Sequence, residues 1–389
     1  MVRLFDALAD NADASAVVLS FLDVRDVSAF GRACRRCRVA AARARHVACA
    51  RPLAPDAAAA MLARFPCARA LFLSDCSSLG EDALASIVRR LRSVSGLQLS
   101  RVRLSTPSVL QAVAANAAHM RGGVLRLEGA IMLPRAALDA LTALADLSEL
   151  HLCGAVELCD AQLRTLLARS ARSLRSLSVD DCAALTSVAL SSCGALVEFS
   201  CARCPRLATL AADAPRLAGL RAPGCRALRP EALHGCAHLA RLDISRCTSL
   251  AGELVLVEPA PQPPARDAAP PPRGCLRAEG ATGIARLVLR RDDVAHLALG
   301  GCLRLQEVVL QLAGSPLTEL DLSCLPALEV ARVSGLLLRA LDASWCARLR
   351  TLRAREGCPR LRSVRVVGTP LEAGGRGVLE VPDGCLMKL

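Results

Sequence analysis

Leucines recur through the middle of the chain at a nearly constant spacing, with steps of 11, 11, 11, 10, 11, 11 and 11 residues. The recurring positions are Leu174, Leu185, Leu196, Leu207, Leu217, Leu228, Leu239 and Leu250. Each unit places two apolar residues on either side of one other residue, as Leu242 and Ile244 do, which is the period of a β-strand. Eleven residues cannot close a core, but two units make a coil of about 22 residues, and stacked coils share one core. The pattern therefore predicts a solenoid.

The repeat is longer in residues 51–177, where the steps between strand triplets are 26, 28, 25 and 27 residues. The triplets are Leu71/Leu73, Leu97/Leu99, Leu125/Leu127, Leu150/Leu152 and Leu177/Val179. Between them lie helical faces at positions i, i+3, i+4 and i+7, for example Leu84, Ile87, Val88 and Leu91. These coils are predicted to be strand plus helix, within an α/β solenoid.

After Leu177 the helical faces vanish, and the region 178–257 is predicted to consist of compact coils with two short strands each. Two ladders of cysteines mark their turns, Cys182, Cys204, Cys225 and Cys247 on one side, and Cys193 and Cys236 on the other. Residues 258–283 interrupt the array, because seven of the 21 prolines fall between Pro259 and Pro272, and they are interpreted as a disordered loop. Compact coils resume over 284–371, and residues 372–389 are expected to form a frayed tail.

Residues 1–50 have a different pattern and predict a small helical head of two or three helices. Val27, Phe30, Gly31 and Cys34 share one helical face, and a dense apolar cluster runs from Val17 to Leu22.

Two segments resemble known families. The segment Leu150 to Cys182, LHLCGAVELCDAQLRTLLARSARSLRSLSVDDC, resembles the cysteine-containing class of leucine-rich repeats, which implies a horseshoe. The stretches LSFLDVRDV (19–27) and FGRACRRCRVA (30–40) resemble an F-box, although the usual Leu-Pro is Leu8-Ala9 here and the tryptophan near its end is absent. That resemblance implies docking to a Skp-type adaptor of a cullin-RING ubiquitin ligase, with Val18, Leu22, Val27 and Phe30 at or beneath the adaptor surface. The alternative is that the head only caps the first coil.

The chain has a net charge of +13, and Lys388 is the only lysine among its 49 basic residues. The arginines are scattered singly and stacking aromatic residues are scarce, so the composition does not favour nucleic-acid binding.

Asp6, Asp10 and Asp13 interrupt the first apolar stretch, and no apolar run reaches the length of a membrane span. The 20 cysteines are therefore interpreted as reduced thiols of a cytoplasmic or nuclear protein without a membrane association.

No motif indicates a catalytic, metal or cofactor site. The pairs Cys34/Cys37 and Cys201/Cys204 have no second pair at zinc spacing, and Cys236 between His234 and His238 is already a ladder position. Neither a G-x-S-x-G nor a G-x-x-x-x-G-K motif occurs. We therefore expect no enzyme activity, no metal and no cofactor.

The candidate binding residues are those that point away from the core on the concave strands. They are Gln98, Arg126, His151, Asp180, Arg203, Arg221, Asp243 and Arg246, together with Trp345. A row of mixed charges is also typical of a solvated sheet face. Trp345, the only tryptophan, is a candidate hot spot or else fills the core, and the proline-rich segment leaves its face unassigned.

The function expected from these features is substrate recognition in a cullin-RING ubiquitin ligase. The head would recruit the adaptor, and the concave face would bind a protein substrate. The alternative is an interaction scaffold with no link to a ligase, and a basic nucleic-acid binder is a third, less favoured, interpretation.

Overall fold

The computed structural model describes residues 46–49, 52, 67–91, 94–131, 135–190, 192–211, 214–233, 239–257, 274–372 and 377–388. The chain divides into two compact units. Unit 1 comprises Met1–Ala184 with Ser192–Leu196, and unit 2 comprises Leu185–Ser191 with Val197–Leu389. The proposed adaptor residues Val18, Leu22, Val27 and Phe30 lie outside the described residues.

Unit 1 alternates parallel strands with helices. Its elements are β1 (His46–Cys49), β2 (Ala70–Leu73), α1 (Glu81–Arg90), β3 (Gly96–Leu104), α2 (Ser108–Ala114), β4 (Val124–Ile131), α3 (Arg135–Leu141), β5 (Glu149–Ala155), α4 (Asp160–Ser170) and β6 (Ser176–Ser178), with a short 3-10 helix at Ala117–His119. The strands pair in the order β1-β2-β3-β4-β5-β6, all parallel. The strand-plus-helix coils expected over 51–177 therefore form in the part of this range that the structure describes.

The hydrophobic spacing explains these elements. Both leucines of every triplet from Leu71 to Leu152 are buried, and α1 buries Leu84, Ile87 and Val88 on one face. The acidic residues Glu81 and Asp82 begin α1, and Arg89 and Arg90 end it, which suits the helix dipole. The helical head predicted over 1–50 ends too late, because His46–Cys49 form a strand in register with β2. Val47 and Cys49 alternate inward there and are buried.

Unit 2 consists of short parallel strands in front and back positions. The front strands are β8 (Glu198–Ser200), β10 (Gly219–Arg221), β11 (Arg241–Asp243), β13 (Gly274–Arg277), β15 (Val294–Ala298), β17 (Glu319–Asp321), β19 (Ala340–Asp342), β21 (Ser363–Arg365) and β23 (Leu386–Lys388). The back strands are β7 (Ser187–Ala189), β9 (Thr209–Ala211), β12 (Gly252–Val257), β14 (Ile284–Arg290), β16 (Glu307–Gln311), β18 (Val330–Ser334), β20 (Thr351–Arg353) and β22 (Val378–Glu380). A short 3-10 helix, Pro230–Leu233, lies between β10 and β11 in the chain.

The front strands form two sheets, β8-β10-β11-β13-β15 and β17-β19-β21-β23, and the back strands form β7-β9 and β12-β14-β16-β18-β20-β22. Each coil repeats the inward leucine at the same register position, as Leu220, Leu242 and Leu276 do. These leucines are nearly inaccessible to solvent and form the core between the front and back strands. Stacked two-strand coils confirm the repeat expected after Leu177.

The ladder cysteines are explained by one repeated hydrogen bond. The thiols of Cys225, Cys247, Cys302 and Cys346 each donate to a backbone carbonyl of the preceding coil, with sulfur–oxygen distances of 2.9, 3.1, 3.1 and 3.1 Å. A thiol is small enough for a tight turn and supplies a donor for a buried carbonyl. Every cysteine among the described residues is a free thiol.

Two predicted boundaries need correction. The interruption expected over 258–283 ends earlier, because Gly274–Arg277 form β13 between β11 and β15, where the buried Leu276 continues the inward row. The tail expected over 372–389 contains the paired strands β22 and β23. Their apolar residues extend the back and front rows by one more coil.

Candidate functional site

Three predicted binding residues form one row across unit 1. Gln98 of β3, Arg126 of β4 and His151 of β5 are register partners on strands whose leucines point inward. Arg126 donates from Nε to Glu149 Oε2 at 3.0 Å and from Nη1 to Gln98 Oε1 at 3.4 Å. The guanidinium is therefore held between two strands, and the row is preorganised.

The row continues towards β6 through groups that are protonated or neutral. His151 Nε2 lies 3.0 Å from Ser176 Oγ, and Cys153 Sγ lies 3.2 Å from Ser178 Oγ. Burial, aided by the charge of Arg126, lowers the pKa of His151, and burial raises the pKa of the Cys153 thiol. A thiol with a raised pKa is a poor nucleophile, so these groups favour hydrogen bonding over catalysis. Ser178, the register partner of His151, is buried.

Asp180 joins this cluster just beyond the end of β6. Its carbonyl accepts a hydrogen bond from Gly154 N at 2.7 Å, which places it beside Cys153. Its carboxylate is one of the charges that raise the pKa of Cys153. Gln98, Arg126, His151 and Asp180 are thus brought together on one face of unit 1.

In unit 2, Arg221 and Asp243 are register partners, and Arg277 of β13 extends the row with alternating charge. Asp243 Oδ1 accepts from Ser245 N at 3.1 Å, and the same Asp-x-Ser turn recurs at Asp321 (2.8 Å) and Asp342 (2.9 Å). These aspartates therefore shape the turns as well as the exposed face.

Arg203, Arg246 and Trp345 are not strand residues. They occupy a repeated turn position with φ of 54°, 60° and 62°. In the next coil each is followed by a glycine, Gly224, Gly280 and Gly368 respectively, whose missing Cβ would lie 3.4, 3.6 and 2.6 Å from the side chain of the preceding coil. Trp345 is 63% exposed, so the alternative that it fills the core is wrong, and its ring lies across Gly368 of the next coil.

Unit 2 also contains a groove that the sequence did not indicate. The front strands are not paired between β15 and β17, which are edge strands of separate sheets. A groove of about 860 Å³ lies there, lined by Leu297, Leu317 and Leu320 and by the polar residues His296, Glu319 and Asp321, among others. The turn that leads into β17 differs in length from the next one, because Leu317 follows Leu310 by seven positions, whereas Leu338 follows Val333, the register partner of Leu310, by five.

The candidate metal positions gain no support from the described residues. Cys201 and Cys204 are fully buried, and no group of three potential metal ligands occurs within the described ranges. Cys34, Cys37, His234, Cys236 and His238 lie outside the described residues. No helix within those ranges combines the length and apolar character needed to cross a membrane.

Comparison with known proteins gives structural similarity only. No protein-family model and no curated protein sequence matches the chain. The chain is similar to the crystal structure of the yeast Rad7–Elc1 complex (12% identity, TM-score 0.34, covering 97% of this chain and 92% of that one). It is also similar to a leucine-rich-repeat protein of Leptospira interrogans (13%, 0.33, 85% and 92%) and to the functional domain of InlJ from Listeria monocytogenes, which includes a cysteine ladder (15%, 0.28, 75% and 70%). At these scores the similarity concerns the leucine-rich-repeat class of fold alone.

Proposed function

We propose that this chain is a non-catalytic protein-binding protein, and that its partner contacts the outward side chains of β3 to β6 in unit 1. The observation that carries the proposal is the row Gln98–Arg126–His151, in which half-buried polar groups are fixed by buried strands and by the Arg126–Glu149 ion pair. A surface whose side chains are already ordered loses less entropy when it binds. The shifted pKa values of His151 and Cys153 favour hydrogen bonding at this surface over nucleophilic chemistry.

The more specific proposal is that the chain is the substrate-recognition subunit of a cullin-RING ubiquitin ligase in the cytoplasm or nucleus. It rests on the F-box-like stretches at 19–27 and 30–40, followed directly by leucine-rich repeats. Val18, Leu22, Val27 and Phe30 would contact a Skp-type adaptor. An interaction scaffold whose head serves only as a cap is the alternative.

Binding through the polar row is tested by purifying the protein that associates with the full chain and reconstituting the complex. Arg126→Glu reverses the charge beside Glu149 and is expected to weaken binding by about tenfold or more. Arg172→Glu, at an exposed position of the same unit, is the matched control. Equal binding by both variants would contradict the proposed surface.

The ligase link is tested separately by reconstitution with the adaptor. Leu22→Asp and Val27→Asp are expected to abolish adaptor binding while the partner is still bound. If the wild-type chain does not bind the adaptor, the scaffold is the better description.

A further inference from the structure

Trp345 presents an exposed aromatic ring from a well-defined turn of unit 2. Its backbone N donates to Val367 O at 2.7 Å, and its φ is 62°. The ring packs against Gly368 of the next coil, yet the residue is 63% exposed, so most of the ring surface faces solvent. One coil earlier, the same turn position holds only the small side chain of Cys324. A ring that is fixed in place and uncovered is typical of a residue that anchors a binding partner.

The groove on the front strands begins close to this ring. Asp342 lines the groove and precedes Trp345 by three residues, so their Cα atoms lie within about 11 Å of each other. Small or apolar side chains lie along the groove, among them Ala298, Ala340 and the half-buried Leu297. Its volume of about 860 Å³ is in the range of ligand-binding clefts. An extended segment of a few residues is therefore long enough to lie in the groove and to reach Trp345.

Two carboxylates of this groove lack the arginine partners that other sheet carboxylates have. On the back strands, Glu307 lies between Arg286 and Arg332, at 2.8 and 2.9 Å. On β17, Glu319 and Asp321 are exposed, and neither forms an ion pair with an arginine or lysine of the described residues. Both carboxylates are therefore available to a cation that a partner supplies.

The strand register adds a repulsion at the same place. Asp321 of β17 is the register partner of Asp342 of β19, and like charges directly opposite each other destabilise a pair of strands. Arg365 offsets only part of this repulsion, because its Nη1 lies 3.6 Å from Asp342 Oδ2 and its strand, β21, lies beyond β19. Asp321 uses Oδ1 for the turn, where it accepts from Ser323 N at 2.8 Å. A cation bound beside β17 would relieve the repulsion between the two aspartates.

We propose that unit 2 binds an arginine-containing segment of a partner protein, with one guanidinium stacked on the exposed face of Trp345 and another paired with Glu319 and Asp321 in the groove. Arginine suits both positions, because its planar guanidinium stacks on aromatic rings and binds carboxylates through two parallel hydrogen bonds. A nucleic acid is disfavoured, because the same carboxylates repel phosphates. The inference goes beyond the proposed function, because it concerns a different unit and a ligand of defined charge.

The chain carries its own reporter for this binding. Trp345 is the only tryptophan and tyrosine is absent, so intrinsic tryptophan fluorescence reports on this position alone. The probe is a heptapeptide of alternating serine and arginine with blocked ends, titrated into the full chain at low salt. We expect a saturable change in fluorescence. The same peptide with citrulline, which has the shape of arginine without its charge, is expected to bind at least about tenfold more weakly.

Variants of the two carboxylates separate the groove from general charge attraction. Glu319→Gln/Asp321→Asn keeps the shape of both side chains, and the asparagine can still accept from Ser323 N, so the turn is retained. Affinity for the arginine peptide is expected to fall about tenfold, because two exposed ion pairs are lost. The matched control Glu231→Gln/Glu356→Gln removes two exposed carboxylates elsewhere in unit 2 and should bind as the wild type does.

Trp345→Leu removes the aromatic face and keeps an apolar side chain. With a fluorescently labelled arginine peptide, it is expected to weaken binding about threefold. Unchanged affinity in this variant would overturn the stacking. Absence of a saturable response in the wild type, equal affinity for the citrulline peptide, or equal losses in the carboxylate variant and its control would each overturn the site as a whole.

Single-stranded DNA is the competing probe. A fluorescence response to the DNA that the arginine peptide does not reproduce would assign Trp345 to nucleic-acid binding and overturn the proposal. These titrations need no partner protein, so their outcome is independent of the Arg126→Glu experiment. Binding of the arginine peptide that is unaffected by Arg126→Glu is expected, because that residue lies in unit 1.

Discussion

At the scale of single residues, substitutions are expected to cost most stability where a charge is buried or where a turn tolerates only glycine. Arg291 is such a position. Its guanidinium is 9% exposed and donates to Asp293 Oδ1 at 2.9 Å and Oδ2 at 2.8 Å, with a third bond to the carbonyl of Leu239. The fork ties β14, β15 and the approach to β11 together.

We expect Arg291→Met to lower the free energy of unfolding by about 3 kcal/mol, because it leaves the Asp293 carboxylate and a buried carbonyl without their donor. Urea denaturation measures the change. Arg290→Met, at the adjacent exposed position, should change stability by less than about 0.5 kcal/mol. Similar losses of stability for both variants would show that the buried hydrogen bonds of Arg291 do not stabilise the fold.

Gly368 is constrained both by its own backbone and by the coil before it. Its φ is +68°, and a Cβ would lie 2.6 Å from Trp345 Cε3. We expect Gly368→Ala to cost about 2 kcal/mol, part of which should be recovered in a Trp345→Ala background because the clash is then removed. Thermal melting checks this, with Gly300→Ala, whose Cβ would meet nothing within 4 Å, as the control. A cost that is unchanged in the Trp345→Ala background would mean that backbone strain alone is responsible.

At the scale of elements, the sequence predicts strands correctly where the side chains only need to be apolar and to point into the core. The triplets around Leu97, Leu125 and Leu242 identify strands because the same alternation of apolar positions recurs in coil after coil. The sequence does not predict the turns whose conformation depends on the backbone. The residue types of Arg203 and Trp345 do not predict a left-handed backbone conformation. The only indication is that a glycine, Gly224 or Gly368, occupies the corresponding position one coil later.

The groove could not be predicted for a related reason. The triplet Leu317, Leu320 and Leu322 keeps its internal spacing, so β17 is identified correctly. What differs is the turn before β17, which is two residues longer than the turn before β19, and the effect of that length on strand pairing depends on the path of the turn. At β13 the sequence predicts an interruption where the structure has a strand. Cys275, Leu276 and Arg277 follow the proline cluster, whose last member is Pro272, so closely that they are taken as part of it.

Three thiols of the cysteine ladder predict a loss of stability at alkaline pH, whereas hydrogen bonds with Cys201 and Cys204 lower the pKa of the fourth, Cys225. Burial raises the pKa of the Cys247 thiol from 9.0 to about 12, and that of Cys302 and Cys346 to about 11. Because the folded state holds these protons more tightly, the ladder's contribution is fully present below pH 9, and it is lost as the pH rises from there through these values. Each thiol contributes a slope of up to about 1.4 kcal/mol per pH unit.

Urea denaturation at a series of pH values between about 8 and 10.5 measures this slope. Cys247→Ala should be less stable at neutral pH, because the carbonyl of Ala222 loses its donor, but its stability should fall less steeply with pH. Wild-type stability that is the same at both ends of the range would contradict buried, protonated thiols.

At the scale of the whole molecule, charge and repetition set the behaviour. The net charge of +13 is spread over both units, and many arginines are held by carboxylates, as Arg286 is by Glu253 and Glu307 and Arg332 is by Glu307. Such pairing leaves discrete acidic sites, such as the rim of the β15–β17 groove, on a chain that is basic overall. Recognition is therefore expected to follow local arrangement, with net charge contributing mainly to the rate of encounter.

A stack of coils also predicts how far the destabilisation caused by one substitution extends along the chain. Leu242 lies in β11, pairs with Leu220 and Leu276 and is 3% exposed, so Leu242→Asp places a charge between three coils of unit 2. Because each coil contacts only its neighbours, we expect hydrogen exchange to accelerate most in β10, β11 and β13 and least in β19 and β21. The exposed neighbour Arg221→Gln should leave exchange unchanged. Equal acceleration from β10 to β21 would mean that unit 2 unfolds as one cooperative block.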